Sequence, residues 1–260
     1  MPTTYTIQIL PVAHQEMRGP GIYLLDRLDE WEPFQFHVLV VRGGGKTILI
    51  NTGPPQDLGF LDPYWPLWPA ERPIQIADHE RLDHALASAQ VEPADVDVVI
   101  VSPLIFYATG NIDRFPNAHI CLLKRGWIDF HAPPLRGKYM DSVRELVMPA
   151  RVAAHLVTDA WPRVRLLEDE DEVLPGITTF FSGVHHRSSM AVRIATPRGM
   201  AIFSDSFFKF RNIEEDVPVG YLENLEEAFV NYERIRREAD LFLPAFDPEL
   251  MTRYAGGRIG

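Results

Sequence analysis

The sequence is poor in cysteine, in positive charge and in long apolar runs, and each shortage excludes a class of protein. Cys121 is the one cysteine among 260 residues, so no disulfide can form within the chain, and its apolar neighbours predict an inert buried thiol. The formal net charge of −11 argues against the basic surface that nucleic-acid binding requires. No run approaches the roughly 18 apolar residues of a membrane-spanning helix.

The remaining composition is that of an ordinary globular protein. Hydrophobic residues make up 46% and charged residues 23% of the chain, and 260 residues are enough for a single domain, 1–260, with a large core. The first ten residues alternate like a strand and lack the basic flank of a signal peptide. We therefore expect a cytoplasmic protein with no nucleic-acid partner and no membrane partner, while a homo-oligomer stays open.

Apolar runs separated by glycine and proline predict most of the strands. Residues 36–41 and 46–50 flank a run of three glycines and read as a β-hairpin. Further strands are predicted at 96–101, 117–123, 177–181, 190–195, 200–203 and 241–244, and helices at 77–90, 125–131, 141–148 and 222–238. This order favours an α+β fold, a sandwich of two mixed sheets with helices outside.

Two segments carry more specific expectations. In the last helix, an apolar stripe is predicted to face the core; it consists of Leu222, Leu225, Phe229, Tyr232 and Ile235. The acidic run 168–172 is predicted to be a solvated turn.

Residues 54–75 are rich in proline and aromatic residues, which disfavours both a helix and a central strand. Long loops in compact domains are often lids or binding loops. Trp65 and Trp68 are therefore candidate substrate contacts in a lid. The alternative is a loop that is pinned in place by its own aromatic side chains.

An apolar run at 98–101 leads into a short loop that ends in Gly110-Asn111. Together with the segments around it, this stretch resembles the metallo-β-lactamase-fold superfamily, and its acyl-homoserine-lactone lactonase-like branch in particular. The resembling segments, in chain order, are 51–53, 91–100, 103–111, 115–118, 124–127, 183–189, 203–205 and 243–248. The resemblance spans roughly residues 35 to 254 and implies an αββα sandwich.

The resemblance also implies a metal centre whose ligands this chain mostly lacks. Members of the family hold two metals with a set of histidines and aspartates, of which only His185 and Asp205 have counterparts here. The other family ligands are replaced by Pro103, Ile105, Tyr107, Ala108 and Phe246. Proline, isoleucine, alanine and phenylalanine have no side-chain donor atom, and a zinc site needs three or four protein donors. We therefore expect no metal and no other cofactor.

The polar residues left at this place are expected to converge. Asp205 is predicted to orient His185 as a proton shuttle, and Tyr107 to donate a hydrogen bond to a carbonyl or oxyanion. The alternative is a structural His185–Asp205 pair that joins two loops. The candidate substrate contacts are His186, Ser102, Ser188, Trp65, Trp68 and Phe246.

Three functions are compatible with this pattern. The first is a metal-independent enzyme that acts on a small acyl, lactone or ketone-like molecule by acid–base chemistry. The second is a non-catalytic small-molecule-binding or assembly protein that keeps the same scaffold. The third is a metallo-hydrolase with a rearranged metal site.

Overall fold

The computed structural model describes residues 3–64, 72–134, 137 and 143–260. Within them the chain forms a seven-stranded sheet in the order β12-β1-β2-β3-β4-β5-β6 and a five-stranded sheet in the order β11-β10-β9-β8-β7. The strands are β1 (Thr6–Arg18), β2 (Trp31–Gly43), β3 (Lys46–Ile50), β4 (Val98–Val101), β5 (His119–Leu123), β6 (Val164–Leu167), β7 (Glu170–Leu174), β8 (Ile177–Phe181), β9 (Met190–Thr196), β10 (Gly199–Ser204), β11 (Leu241–Pro244) and β12 (Arg258–Ile259).

Helices α2 and α4 contact strands of the larger sheet, and α7 contacts β11 of the smaller one. The helices are α1 (Gly19–Ile22), α2 (Leu82–Ser88), α3 (Phe106–Thr109), α4 (Lys124–His131), α5 (Arg144–Val147), α6 (Ala150–Val157), α7 (Phe210–Glu214), α8 (Leu225–Glu238) and α9 (Leu250–Arg253). The predicted two-sheet architecture is confirmed. In the described part of the chain, no helix has both the length and the apolar character needed to cross a bilayer.

The larger sheet places the ends of its parallel strands at one edge. Strands β3, β4, β5 and β6 pair in parallel, whereas β1, β2 and β3 form antiparallel pairs. Each residue of β4 is buried, as expected of a parallel strand that is covered on both faces. The loops that follow β3 and β4 therefore meet at the same edge of the sheet.

A seam of hydrogen bonds joins these two loops, turn 51–55 and loop 102–111. The side-chain amide of Asn51 donates to the Ser102 carbonyl and accepts from the Ser102 N–H, at 2.8 Å in both cases. The Thr52 N–H donates to the Ala108 carbonyl at 2.7 Å. The Asn111 amide donates to the carbonyls of Thr52 and Pro54, at 2.8 and 2.7 Å.

The seam leaves no room for a side chain at Gly110. A Cβ atom there would lie 2.1 Å from the Pro55 nitrogen, closer than non-bonded atoms approach. The glycine next to Asn111 is therefore explained by the close contact between the two loops.

The acidic run 168–172 is largely exposed, as predicted, but its residues from Glu170 onward form strand β7 where a turn was predicted. Its charges are paired with arginines of other elements: Glu170 lies 2.7 Å from Arg234 of helix α8 and 3.2 Å from Arg193 of β9. Asp171 lies 2.6 Å from Arg165. Opposite charges on neighbouring elements make this short acidic strand compatible with a sheet edge.

The predicted stripe of the last helix is also partly wrong. Tyr232 and Ile235 are buried, but Leu225 and Phe229 are 41% and 45% exposed. The helix begins at Leu225, where the Asn224 side chain accepts from the Glu227 N–H and caps it. The buried face is therefore rotated toward Ala228 and Asn231.

Candidate functional site

A cavity of about 330 Å³, called the chamber here, lies beside loop 102–111. Apolar and aromatic side chains form most of its wall. The lining residues are Met17, Phe34, Phe36, Ile105, Tyr107, Val143, Leu146, Val147, His185, His186, Phe208, Tyr221, Leu222, Glu223 and Phe246. Four of the residues that the sequence singled out therefore share one cavity, namely Tyr107, His185, His186 and Phe246.

Tyr107 and His185 form a hydrogen bond whose direction is set by a third residue. The Nδ1 atom of His185 lies 2.6 Å from the Tyr221 carbonyl oxygen, which can only accept, so Nδ1 carries the ring proton. In the neutral ring Nε2 is then an acceptor, and the Tyr107 hydroxyl donates to it over 3.1 Å. Both ring nitrogens of His185 are thus satisfied.

The electrostatic environment holds this pair in its neutral form. Burial, reinforced by the nearby charge of Asp205, raises the pKa of Tyr107 well above its ordinary value. Burial and the neighbouring His186 lower the pKa of His185 well below its ordinary value, against the opposing effect of the Tyr221 carbonyl. At neutral pH the proton therefore stays on the tyrosine and the imidazole is uncharged.

Asp205 does not orient His185, so the predicted pairing is wrong. The Asp205 carboxylate accepts from the Ser189 hydroxyl at 2.6 Å, and its other oxygen lies 3.3 Å from the Ser102 hydroxyl. It is fully buried and is not part of the chamber wall. The sequence could not reveal this, because the Tyr221 carbonyl that takes the place of Asp205 comes from a segment without any motif.

Two of the predicted substrate contacts have structural partners instead. Ser102 is fully buried, and its hydroxyl donates to the Met190 carbonyl at 2.8 Å. The Ser188 hydroxyl accepts from the Leu104 N–H at 2.9 Å, but Ser188 also lines a smaller adjoining cavity of about 110 Å³, called the annex here. Trp65 and Trp68 lie outside the described residues.

The aromatic wall was largely missed from the sequence. Phe246 stacks on Phe34 with ring centroids 4.3 Å apart, and Phe208 meets Phe246 edge-on at 5.1 Å. Phe34 and Phe36 alternate along β2 and therefore project from the same face, which is the sequence signal that could have identified them. Phe246 is held in place because its N–H donates to the Phe208 carbonyl at 3.1 Å.

The side chains at this place do not fit a metal centre of the family type. Among the described residues, no group of three or more histidine, cysteine, aspartate or glutamate side chains is arranged to hold a metal ion. His185 uses both nitrogens for Tyr107 and Tyr221. Asp205 is occupied by serine hydroxyls, so the donors that resemble family ligands are already satisfied.

The first prediction concerns the charge of Asp205. Burial raises its pKa from 3.8 to about 6, partly opposed by the Ser189 hydroxyl. Between about pH 4 and 6 the Asp205 carboxyl is therefore protonated in the folded protein and ionised in the unfolded chain. The contribution of this proton to the unfolding free energy is full below about pH 4 and is lost as the pH rises through 6. Between these values wild type should lose about 2–3 kcal/mol of unfolding free energy relative to Asp205→Asn.

Urea unfolding of both proteins at several pH values measures this difference directly. Other titrating groups are common to both and cancel in the comparison. Parallel curves of stability against pH would show that the pKa of Asp205 is the same in the folded and unfolded states, and would contradict the prediction.

Comparisons with known proteins bear on the fold. No protein-family model matches the chain, and no curated protein sequence matches it. Among solved structures, a quorum-quenching N-acyl homoserine lactone lactonase superposes with a TM-score of 0.76 at 18% identity, covering 98% of this chain and 97% of that one. A probable metal-dependent hydrolase from Staphylococcus aureus superposes with a TM-score of 0.73 at 16% identity, covering 95% of this chain and 91% of that one. A hydrolase of the β-lactamase superfamily superposes with a TM-score of 0.72 at 14% identity, covering 94% of this chain and 87% of that one. The chain has the metallo-β-lactamase-like fold that these hydrolases share.

Proposed function

We propose that this chain is a metal-independent small-molecule-binding protein built on a metallo-hydrolase fold. The observation that carries the proposal is the chamber itself, an aromatic cavity whose central polar pair, Tyr107 and His185, is neutral and internally hydrogen-bonded. A volume of about 330 Å³ lies within the usual range for small-molecule sites, and such sites combine an apolar wall with few polar groups.

The electrostatics favour binding over proton transfer. An efficient general acid or base has a pKa near the working pH, but here the pKa of Tyr107 is raised and that of His185 is lowered. The pKa values of both side chains therefore lie far from neutral pH. They are suited to fix the orientation of a ligand, and they are poorly suited to exchange protons with it.

A second candidate is the metal-free acid–base enzyme. One observation favours it: two titratable side chains meet at the wall of a cavity, with 3.1 Å between the Tyr107 oxygen and His185 Nε2. In this function the Tyr107 oxygen would remove a proton from the substrate as its own proton passes to His185 Nε2, and the imidazolium would return that proton when the product forms.

The second prediction separates the two candidates through Tyr107→Phe. Removing the hydroxyl leaves His185 Nε2 without its donor and should lower the unfolding free energy by about 1–3 kcal/mol. A binding protein should retain its affinity for an apolar ligand within about threefold, because the phenyl ring keeps the same packing surface. Turnover of a lactone, ester or ketone that disappears in Tyr107→Phe and in His185→Gln would establish the enzyme instead.

The third prediction tests occupancy of the chamber. The neutral fluorophore N-phenyl-1-naphthylamine should bind the purified protein with increased fluorescence. Leu146→Trp adds bulk to the chamber wall and should weaken binding by about tenfold or more, because overpacking forces neighbouring side chains off their rotamers. The matched control is Val230→Trp, since Val230 is 67% exposed and does not line the chamber. Equal loss of binding in both variants would contradict the assignment.

The fourth prediction concerns metal. Zinc that binds only the folded state raises the unfolding free energy by RT ln(1 + [Zn]/Kd) and therefore raises the melting temperature. Since the two donors that resemble family ligands, His185 and Asp205, are occupied within the protein, equimolar zinc should leave the melting temperature unchanged, as should a chelator. One equivalent of zinc retained through dialysis and lost in His185→Ala would establish the rearranged metallo-hydrolase.

A further inference from the structure

The side chains around the chamber differ in whether they offer protons or lone pairs to a ligand. The Tyr107 proton is already donated to His185 Nε2, so the phenol oxygen presents lone pairs to its surroundings. The Nδ1 proton of His185 is donated to Tyr221 and does not face the ligand space. At this end of the chamber the available group is therefore a hydrogen-bond acceptor.

His186 stands between the chamber and the annex and lines both. Its Nδ1 atom faces Glu223 Oε1 at 3.7 Å, and a ring nitrogen that faces a carboxylate carries the proton. Its Nε2 atom is buried without a hydrogen-bond partner, so a ligand in the chamber does not reach that atom, and His186 contributes through its contact with Glu223.

Glu223 supplies the negative charge. Among the described residues that line the chamber, it is the carboxylate, and no lysine or arginine lines it. Burial acts to raise its pKa, but His186 and Arg187 outweigh that effect and hold the pKa below its ordinary value. Oε2 lies 3.2 Å from the Arg187 Nε atom, whereas Oε1 lies 3.7 Å from His186, too far for a hydrogen bond. Oε1 can therefore accept from a ligand.

The aromatic wall adds a further preference for positive charge. The chamber is lined by the rings of Phe34, Phe36, Tyr107, Phe208, Tyr221 and Phe246. The face of an aromatic ring attracts a cation by about 0.5–2 kcal/mol, depending on how well water is excluded. A carboxylate or phosphate ligand would instead meet the Glu223 carboxylate, and the described part of the chamber wall has no lysine or arginine to balance its charge.

We propose that the ligand of the chamber is an amine: a small molecule with an aromatic or aliphatic body and a protonated amino group. The ammonium group donates to Glu223 Oε1, and the apolar body lies against Phe208 and Phe246. This inference rests on the proposed function, because it assigns a ligand class to the same cavity. It replaces the carbonyl-containing ligand expected from the sequence, which would need donors at the places where this chain presents acceptors.

The test compares probes of one shape that differ in their polar group. Isothermal titration calorimetry is run at pH 7 with 4-phenylbutylamine, 4-phenylbutan-1-ol and 4-phenylbutanoate. The amine should bind about three- to fivefold more tightly than the alcohol, and the carboxylate should bind most weakly, because an ion pair with a carboxylate that is 44% exposed is worth up to about 1 kcal/mol. Glu223→Gln should reduce the affinity of the amine by about the same factor and leave that of the alcohol unchanged.

Glu226→Gln is the matched control, since it removes the same charge from an exposed residue that does not line the chamber. Affinity for the alcohol or the carboxylate equal to that for the amine would overturn the amine assignment while leaving the proposed binding function intact. An equal loss of amine affinity in Glu223→Gln and Glu226→Gln would also overturn it. If no probe binds, and N-phenyl-1-naphthylamine does not bind either, the proposed function itself fails.

Discussion

The seam between turn 51–55 and loop 102–111 is the constraint on which the site depends. The amide of Asn51 contacts both polar groups of the Ser102 backbone, and Asn111 contacts carbonyls of the opposite turn. A neutral amide offers both a donor and an acceptor, which a carboxylate cannot do. The loop is therefore held by uncharged hydrogen bonds that need no metal ion to balance them.

The position of loop 102–111 determines the hydrogen bond between Tyr107 and His185. Tyr107 lies on the short helix α3 within the loop, and its hydroxyl reaches His185 because the loop is fixed by the seam. His185 in turn is fixed by the Tyr221 carbonyl. The result is a chain of neutral hydrogen bonds along one wall of an aromatic cavity, a network that is rigid and fully satisfied.

The sequence was informative where the signal was local. The glycine run predicted the β2–β3 hairpin, and the apolar run before loop 102–111 predicted the buried strand β4. Tyr107, His185 and Phe246 were placed at one site because the order of motifs resembled a known family, and they do line one cavity.

The errors concern partners that are distant in sequence. The acidic strand β7 depends on arginines from other elements, such as Arg193 and Arg234, and no pattern within the run reveals them. The pairing of His185 with Asp205 failed for the same reason, since a backbone carbonyl carries no sequence signal. Glu223 was missed because it follows no motif, and its role depends on the geometry of His186 and Arg187.

The polar groups of the seam and of the Tyr107–His185 pair are hydrogen-bonded to one another, so a single substitution toward a metal ligand breaks an existing contact. Ala108 is fully buried, so a histidine there has to displace its neighbours before it can coordinate anything. An aspartate in place of Tyr107 leaves His185 Nε2 without its donor, and an aspartate in place of Asn51 brings a carboxylate against the Ser102 carbonyl. Each step toward a metal centre is thus unfavourable until the others are present. The seam and the Tyr107–His185 hydrogen bond therefore oppose the acquisition of a coordination shell one ligand at a time.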